Sequence, residues 1–157
     1  MLVFIESVKR ELLVIFISMV PISELRGAIT LGISIGHSQI HSTIISICGN
    51  ILIVPILLKI LHPLIIYFED TFIFKYTIGV VKNRAINKAD AIKTYSLIGL
   101  FLFVAIPLPT SGAWTASFIA SILKLDNKKA FISIAAGIIV AGLIILGVSV
   151  GAIKMFD

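Results

Sequence analysis

The chain has 157 residues, of which 59% are hydrophobic and 13% are charged, and its formal net charge is +5. Soluble domains average about 45–50% apolar and about 25% charged residues, so this composition leaves too few polar side chains to cover a surface that faces water. It predicts a single membrane domain over residues 1–157, in contact with the lipid bilayer. The basic residues are few and are separated by long apolar runs. This pattern argues against nucleic acid as a partner and favours charges that flank membrane segments.

Four segments carry no Lys, Arg, Asp or Glu. They cover residues 12–23, 27–58, 94–123 and 130–153. A helix that crosses a bilayer needs about 20 residues, so residues 38–58 and residues 130–153 each predict one spanning helix. Residues 94–123 are too long for one crossing and too short for two, whereas residues 12–20 are too short for one.

Proline and glycine interrupt both regions that do not fit a single span. Residues 107–112 read Pro-Leu-Pro-Thr-Ser-Gly, which cannot continue a helix because proline lacks an N–H donor and glycine favours turns. We expect residues 94–123 to form a re-entrant hairpin, in which one short helix descends to mid-membrane and a second returns to the same side. Residues 12–35 are interpreted in the same way, with the turn at residues 21–27. Non-helical backbone at that depth is tolerated only where it is buried in protein or lines a water-filled cavity.

The two predicted turns resemble each other. The first reads VPISELRGAIT over residues 20–30, and the second reads IPLPTSGAWT over residues 106–115. We interpret them as an internal duplication; the alternative is chance similarity in an apolar chain. Each half would cross the membrane once, so the two halves would be inverted relative to each other. The predicted fold is all-α, with repeat 1 at residues 1–60, an interfacial amphipathic helix and linker at 61–93, and repeat 2 at 94–157.

The distribution of positive charge predicts an orientation. Cytoplasmic loops carry an excess of Lys and Arg, and here these residues are concentrated in the central linker and at residues 124–129. The polar break at residues 37–41 has no Lys or Arg. We therefore expect a multi-pass protein of the cell membrane with residues 61–93 and 124–129 in the cytoplasm.

Glu24 and Arg26 are the leading candidates for chemistry. A charge near the membrane interior costs several kcal/mol, so such residues face a partner or an aqueous cavity. Glu24 could couple transport to protons or cations. Arg26 could bind an anionic group, because its planar guanidinium makes two parallel hydrogen bonds. The alternatives are an ion pair between the two side chains, or a plain exposed loop.

Hydroxyl groups, glycines and an amide complete the predicted site. These residues are Ser23, Gly27, Thr30, Asn50, Thr110, Ser111, Gly112, Trp114 and Thr115. The half-helices that begin near Ala28 and Ala113 would point the positive ends of their dipoles at the same centre. Alternatively, the hydroxyls satisfy backbone groups that proline leaves free, Trp114 packs, and Asn50 joins helices by a hydrogen bond.

The chain contains no pattern that favours an enzyme. It has no glycine-rich phosphate loop, no Ser/His/Asp pattern and a single cysteine, Cys48. His37 and His41 are four residues apart, which without further ligands is weak evidence for a metal. We therefore predict no catalytic residues, no metal site and no cofactor.

Three motifs resemble one known family. They are PISELRGAI at residues 21–29, GNILIVP at 49–55 and PLPTSGAWT at 107–115. Together they are similar to the small multidrug export protein family and, more distantly, to the DedA/VTT membrane proteins. That wider group is described as having paired re-entrant hairpins with charged tips, and it is associated with proton-dependent transport and with movement of lipid phosphates. On this resemblance, Glu24 and Arg26 match the charged residues of the first tip, whereas the second tip has neither an acid nor an arginine.

These observations predict a small secondary transporter that forms a homodimer or a higher homo-oligomer. It would export a small molecule, coupled to protons or cations, through a midplane site between the two hairpin tips. One alternative is a flippase for a phosphate-bearing lipid. The other is a structural membrane protein that transports nothing.

Overall fold

The structure is a computed structural model that describes residues 2–68, 89–107 and 111–156. Over these residues all the regular secondary structure is helical, which confirms the predicted all-α class. The helices are α1 (Leu2–Met19), α2 (Glu24–Ser34), α3 (Gln39–Phe68), α4 (Ala89–Ala105), α5 (Ala113–Ile122) and α6 (Asn127–Phe156).

Helices α1 and α2 form a hairpin. Nη1 of Arg10 in α1 donates to the carbonyl oxygen of Ile35 after α2, at 3.3 Å, so α2 returns to the level at which the charged part of α1 lies. The turn between them is shorter than the predicted 21–27, because α2 begins at Glu24 rather than near Ala28. The N–H of Glu24 already bonds to the carbonyl oxygen of Val20, at 2.9 Å. Glu24 and Arg26 therefore lie in the first turn of α2.

The second half has the predicted break. Helix α4 ends at Ala105 and α5 begins at Ala113, so the proline-rich stretch interrupts the helix where the sequence indicated. α4 begins at Ala89, five residues before the predicted start of the hairpin. Whether either hairpin is re-entrant in a membrane stays a prediction.

Among the described residues, two helices are long and apolar enough to cross a membrane. The apolar segments are Gln39–Ile65 in α3 and Asn127–Gly151 in α6, with mean hydropathies of 2.4 and 2.7. The predicted spans at residues 38–58 and 130–153 lie within α3 and α6, apart from residue 38. Helix α3 is longer than expected because it continues through Pro55 and Pro63 to Phe68. The predicted interfacial helix thus has its start inside α3, while residues 69–88 lie outside the described residues.

Helices α3 and α6 run antiparallel at the centre of the molecule. A Cβ on Gly142 of α6 would lie against Ile47 and Thr43, near the beginning of α3. His62, near the other end of α3, faces the surface formed by residues 124–128 at the beginning of α6. Helices α1, α2 and α5 also pack against α3, and α4 packs against α6.

Glycines of the two long helices allow close contacts with the helices that precede the breaks. A Cβ on Gly49 of α3 would lie 2.8 Å from the carbonyl oxygen of Ile15 in α1 and would overlap the hydroxyl of Ser18. A Cβ on Gly137 of α6 would lie 2.7 Å from Cβ of Val104 in α4. Each helix that leads into a break is thus held against the long helix of its own half.

The outward face of α3 is apolar over a length that suits lipid. Its exposed side chains include Ile40, Ile44, Leu52, Ile56 and Ile60. From Ile40 to Ile60 a helix rises about 30 Å, which is about the thickness of a bilayer's hydrocarbon core. A helix facing water would carry polar residues on that face.

Candidate functional site

The two helix breaks meet at a small cavity. Its volume is about 20 Å³, which is room for roughly one water molecule. The residues that line it are Glu24, Leu25, Arg26, Asn50, Val104, Pro107, Ser111, Gly112, Ala113, Ile138, Ala141 and Ile145. The first break contributes the charges, α3 contributes an amide, and the second break contributes backbone and a hydroxyl.

The Glu24 carboxylate lies directly against the second break. It accepts a hydrogen bond from the backbone N–H of Trp114, in the first turn of α5. A Cβ on Gly112 would overlap the carboxylate, so this position needs a glycine for close approach. Glu24 itself has a φ of 44°, a left-handed conformation that is uncommon for a residue with a side chain. Such strain persists only where the surroundings hold it, and it is concentrated at functional sites.

Trp114 joins the two breaks a second time. Its indole N–H donates to the carbonyl oxygen of Met19, at 2.8 Å. Met19 is the last residue of α1, where carbonyl oxygens have no partner within the helix. One residue of the second half therefore binds both the end of α1 and the beginning of α2.

Arg26 and Asn50 place unused hydrogen-bonding groups at the cavity. Among the described residues, neither Nη2 of Arg26 nor Oδ1 of Asn50 has a hydrogen-bond partner, although both atoms are buried. Arg26 attracts Glu24 electrostatically, but within the described part of the chain the two side chains form no direct ion pair. The ion pair found there joins His41 and Glu11. The predicted alternative, an ion pair between Glu24 and Arg26, therefore does not account for the unpartnered nitrogen of Arg26. The cavity offers one donor and one acceptor to a bound molecule.

The other predicted site residues are less directly placed. Ser23 and Gly27 contact each other beside the cavity, Thr115 is exposed, and Thr110 lies outside the described residues. Thr30 is also exposed, and its hydroxyl donates to the carbonyl oxygen of Arg26 at 3.0 Å.

The Ser111 hydroxyl donates to the carbonyl oxygen of Ile106, at 2.7 Å. For Ser111 and Thr30 these bonds match the alternative in which hydroxyls satisfy the backbone.

The sequence interpretation missed the apolar side of the cavity. Ile138, Ala141 and Ile145 line it from α6. Their spacing of three and four residues is that of one helical face, but in a helix that is apolar all round this pattern does not single out one face. Only the packing of α6 against the breaks identifies them.

A polar cluster lies at the connection between α2 and α3, away from the cavity. Nε2 of His41 and Oε1 of Glu11 are 3.2 Å apart, and the ring centroids of His37 and His41 are 5.1 Å apart. Arg10 reaches the same connection through its bond to Ile35. The cluster marks one polar end of the helix bundle.

A protein-family model matches residues 24–144, from the first residue of α2 to a point within α6, and this range includes α3 and the second break. The family is described as "Putative small multi-drug export protein". No curated protein and no solved structure matches the chain. The wider resemblance to DedA/VTT proteins stays a prediction.

Proposed function

Because the chain belongs to the small multidrug export family of membrane proteins, we propose that it is a small secondary transporter with its site between the two helix breaks. The observation that carries the proposal is the cavity at which Glu24 meets the unpartnered groups of Arg26 and Asn50. A buried polar group without a partner costs about 1–3 kcal/mol. A bound substrate with complementary groups would remove that cost.

The architecture that we propose is a pair of inverted repeats with re-entrant hairpins. Two observations support it: α3 and α6 run antiparallel, and helices of 18, 11 and 30 residues are followed by helices of 17, 10 and 30 residues. Asn50 lies nine residues after His41 and twelve before His62, which is about 14 and 18 Å along a helix. The site would then lie near the midplane of the bilayer.

Coupling would depend on the contact between Glu24 and the second break. As a carboxylate, Glu24 accepts a charge-assisted hydrogen bond from Trp114 N–H, and such bonds are roughly twice as strong as neutral ones. Protonation weakens that bond and removes the attraction to Arg26. We infer that proton binding loosens the two breaks from each other and opens a cavity that otherwise holds about one water.

The test is transport driven by a pH gradient in vesicles that contain the purified protein. We expect Glu24→Gln to abolish uphill transport, because the amide keeps the side chain's size but cannot exchange a proton. Asp126→Asn is the matched control, since Asp126 is an exposed carboxylate that accepts from Lys128 N–H at the beginning of α6, away from the cavity. Normal gradient-driven transport by Glu24→Gln would show that Glu24 is not the coupling group.

Arg26 favours an anionic substrate, so a phosphate-bearing lipid is the second candidate substrate. A buried guanidinium repels cations and suits phosphate or carboxylate. Flux of a cationic dye such as ethidium and transbilayer movement of fluorescent phosphatidic acid can be compared in the same vesicles. We expect the anionic probe to move and Arg26→Gln to slow it. Movement of ethidium alone would contradict an anion site at Arg26.

We also propose the orientation and assembly that the sequence suggests. Residues 61–93 and 124–129 would be cytoplasmic in a multi-pass protein of the cell membrane. The exposed apolar faces of α3 and α6 leave room for a homodimer or a higher homo-oligomer within the bilayer. A structural protein without transport is the weaker alternative, because it gives no use to the unpartnered groups at the cavity.

A further inference from the structure

Three buried polar residues lie along α3 between its beginning and the cavity. Ser42, Ser46 and Asn50 are each at most 2% exposed. Within the described part of the chain, the two hydroxyl oxygens and the amide oxygen have no hydrogen-bond partner. A serine inside a helix commonly bonds to the carbonyl four residues earlier, as neighbouring Thr43 does with Gln39 at 2.8 Å. The three oxygen atoms of this polar column therefore have hydrogen-bonding capacity that the described residues do not use.

The spacing of the column suits single bridging waters. Residues four apart on a helix have Cβ atoms about 5–6 Å apart. One water that bonds to two hydroxyl oxygens at about 2.8 Å each spans a similar distance. Burial without a partner is costly for each oxygen, so bridging waters would be favoured whenever the helices packed against this face of α3 part enough to admit them.

The column connects two polar places. At one end Asn50 lines the cavity beside Glu24 and Arg26. At the other end Ser42 follows His41, which pairs with Glu11. In the same cluster Nε2 of His37 is buried and has no partner among the described residues.

Arg10 and Glu6 line the surface beside His37. These are the charged and titratable groups at the column's outer end.

The second half of the chain has no such column on its long helix. The contacts of Gly49 and Gly137 align the two helices with an offset of 88 residues. The residues equivalent to Ser42, Ser46 and Asn50 are then Ala130, Ile134 and Ile138, which are apolar and at most 1% exposed. The buried hydroxyls of the second half lie on α5 instead, where Ser121 donates to the carbonyl oxygen of Ser117 at 2.8 Å.

From this asymmetry we propose that the polar column is a one-sided water path, by which Glu24 exchanges its proton with the face that bears the α2–α3 connection. The path rests on the proposed function for its role, since it supplies the proton that the carboxylate would couple to transport. Its existence as a hydrated path does not depend on transport. In the second half Ile134 and Ile138 close the equivalent route from the opposite face.

Silver ions test the path directly, because Ag⁺ is small, water-borne and reacts with thiols. Cys48 is the single cysteine and is exposed, so Cys48→Ser gives a background for Ser46→Cys and for its matched control Ile134→Cys. Full-length protein in vesicles of one orientation is treated with Ag⁺ on the α2–α3 face. It is then unfolded in detergent and labelled with a fluorescent maleimide.

We expect most of the thiol at position 46 to be lost and the thiol at position 134 to be retained. Retention at 46, equal loss at both positions, or loss at 46 only when Ag⁺ is on the opposite face would overturn the path. The assay uses no substrate and no gradient. A failure here therefore concerns the path alone, whereas an active Glu24→Gln variant concerns coupling alone.

The proton role needs a second measurement. Ser46→Val adds bulk to the column, and Ser117→Val makes the same change at a fully buried hydroxyl on α5. We expect Ser46→Val to slow gradient-driven flux and Ser117→Val to change it less. Equal flux in the two variants would overturn the role of the column in proton exchange.

Discussion

Single residues determine how closely the two breaks approach. Glu24 contacts Gly112 and accepts a bond from Trp114 N–H, while the Trp114 indole bonds to Met19. The backbone of Gly112 is extended, with φ −146° and ψ −173°, which any residue can adopt. Glycine is therefore required there by the space that the carboxylate occupies.

We predict that Gly112→Ala displaces the Glu24 carboxylate from the second break. The added methyl group overlaps the Glu24 carboxylate, so that side chain must turn away and give up its bond from Trp114 N–H, a loss of about 1–3 kcal/mol. Trp114 is the only tryptophan of the chain, so its fluorescence spectrum reports the change beside a lowered midpoint of thermal unfolding in detergent. Gly151→Ala is the control, because nothing lies within 4 Å of a Cβ there. An unchanged spectrum and midpoint in Gly112→Ala would contradict the contact.

At the scale of helices, two glycines bring the helices that precede the breaks close to the long helices. Gly49 of α3 packs against α1, and Gly137 of α6 packs against α4. Small residues of this kind let helix backbones approach closely in membranes. The contacted residues lie one and four residues before the last residue of α1 and of α4. These contacts therefore set the positions of α1 and α4, the helices that lead into the breaks.

We predict that Gly49→Ala and Gly137→Ala each destabilise the protein by about 1–3 kcal/mol. In both, the new methyl group meets backbone as well as side-chain atoms, so a change of rotamer cannot relieve it. Gly147→Ala, with open space around its Cβ, should be neutral or slightly stabilising because alanine favours helix. The measurement is thermal unfolding in one detergent, and similar midpoints for all three variants would contradict the packing.

At the scale of the whole molecule, the two polar connections lie at opposite ends of α3. Glu11 of α1 pairs with His41 near the beginning of α3, while residues 124–128 lie beside His62. The 21 residues from His41 to His62 rise about 31 Å, close to the thickness of the hydrocarbon core. The molecule therefore has the dimensions of a domain that spans a bilayer once in each half.

This geometry predicts sided labelling. In the Cys48→Ser background, a membrane-impermeant maleimide added outside cells should label Ser38→Cys and leave Asn127→Cys unlabelled. Both positions are exposed, so the difference would report the membrane side. Labelling of both positions from one side would contradict the inverted arrangement, and labelling of Asn127→Cys alone would reverse the orientation.

The sequence by itself determined the helical class, the two long apolar helices and the position of the second break. These features follow from composition, from run length and from the inability of Pro107 to donate a hydrogen bond, all of which are local properties. It also singled out Glu24, Arg26 and Asn50 as candidates, because polar groups are conspicuous in apolar segments; all three line the cavity, and their role in binding stays a prediction. It misplaced the first turn, since Glu24 and Arg26 are compatible with helix and Pro21 alone does not say where the turn ends.

Only the tertiary structure decided what these residues face. The close approach of Glu24 to Gly112, the bond from Trp114 to Met19 and the apolar wall of Ile138 join segments that are far apart in the chain. Most residues are apolar, and periodicity therefore does not show which face of a helix is buried in protein and which meets lipid. Packing makes that choice, and it leaves the buried oxygens of Ser42, Ser46 and Asn50 on the inner face of α3 without a partner among the described residues.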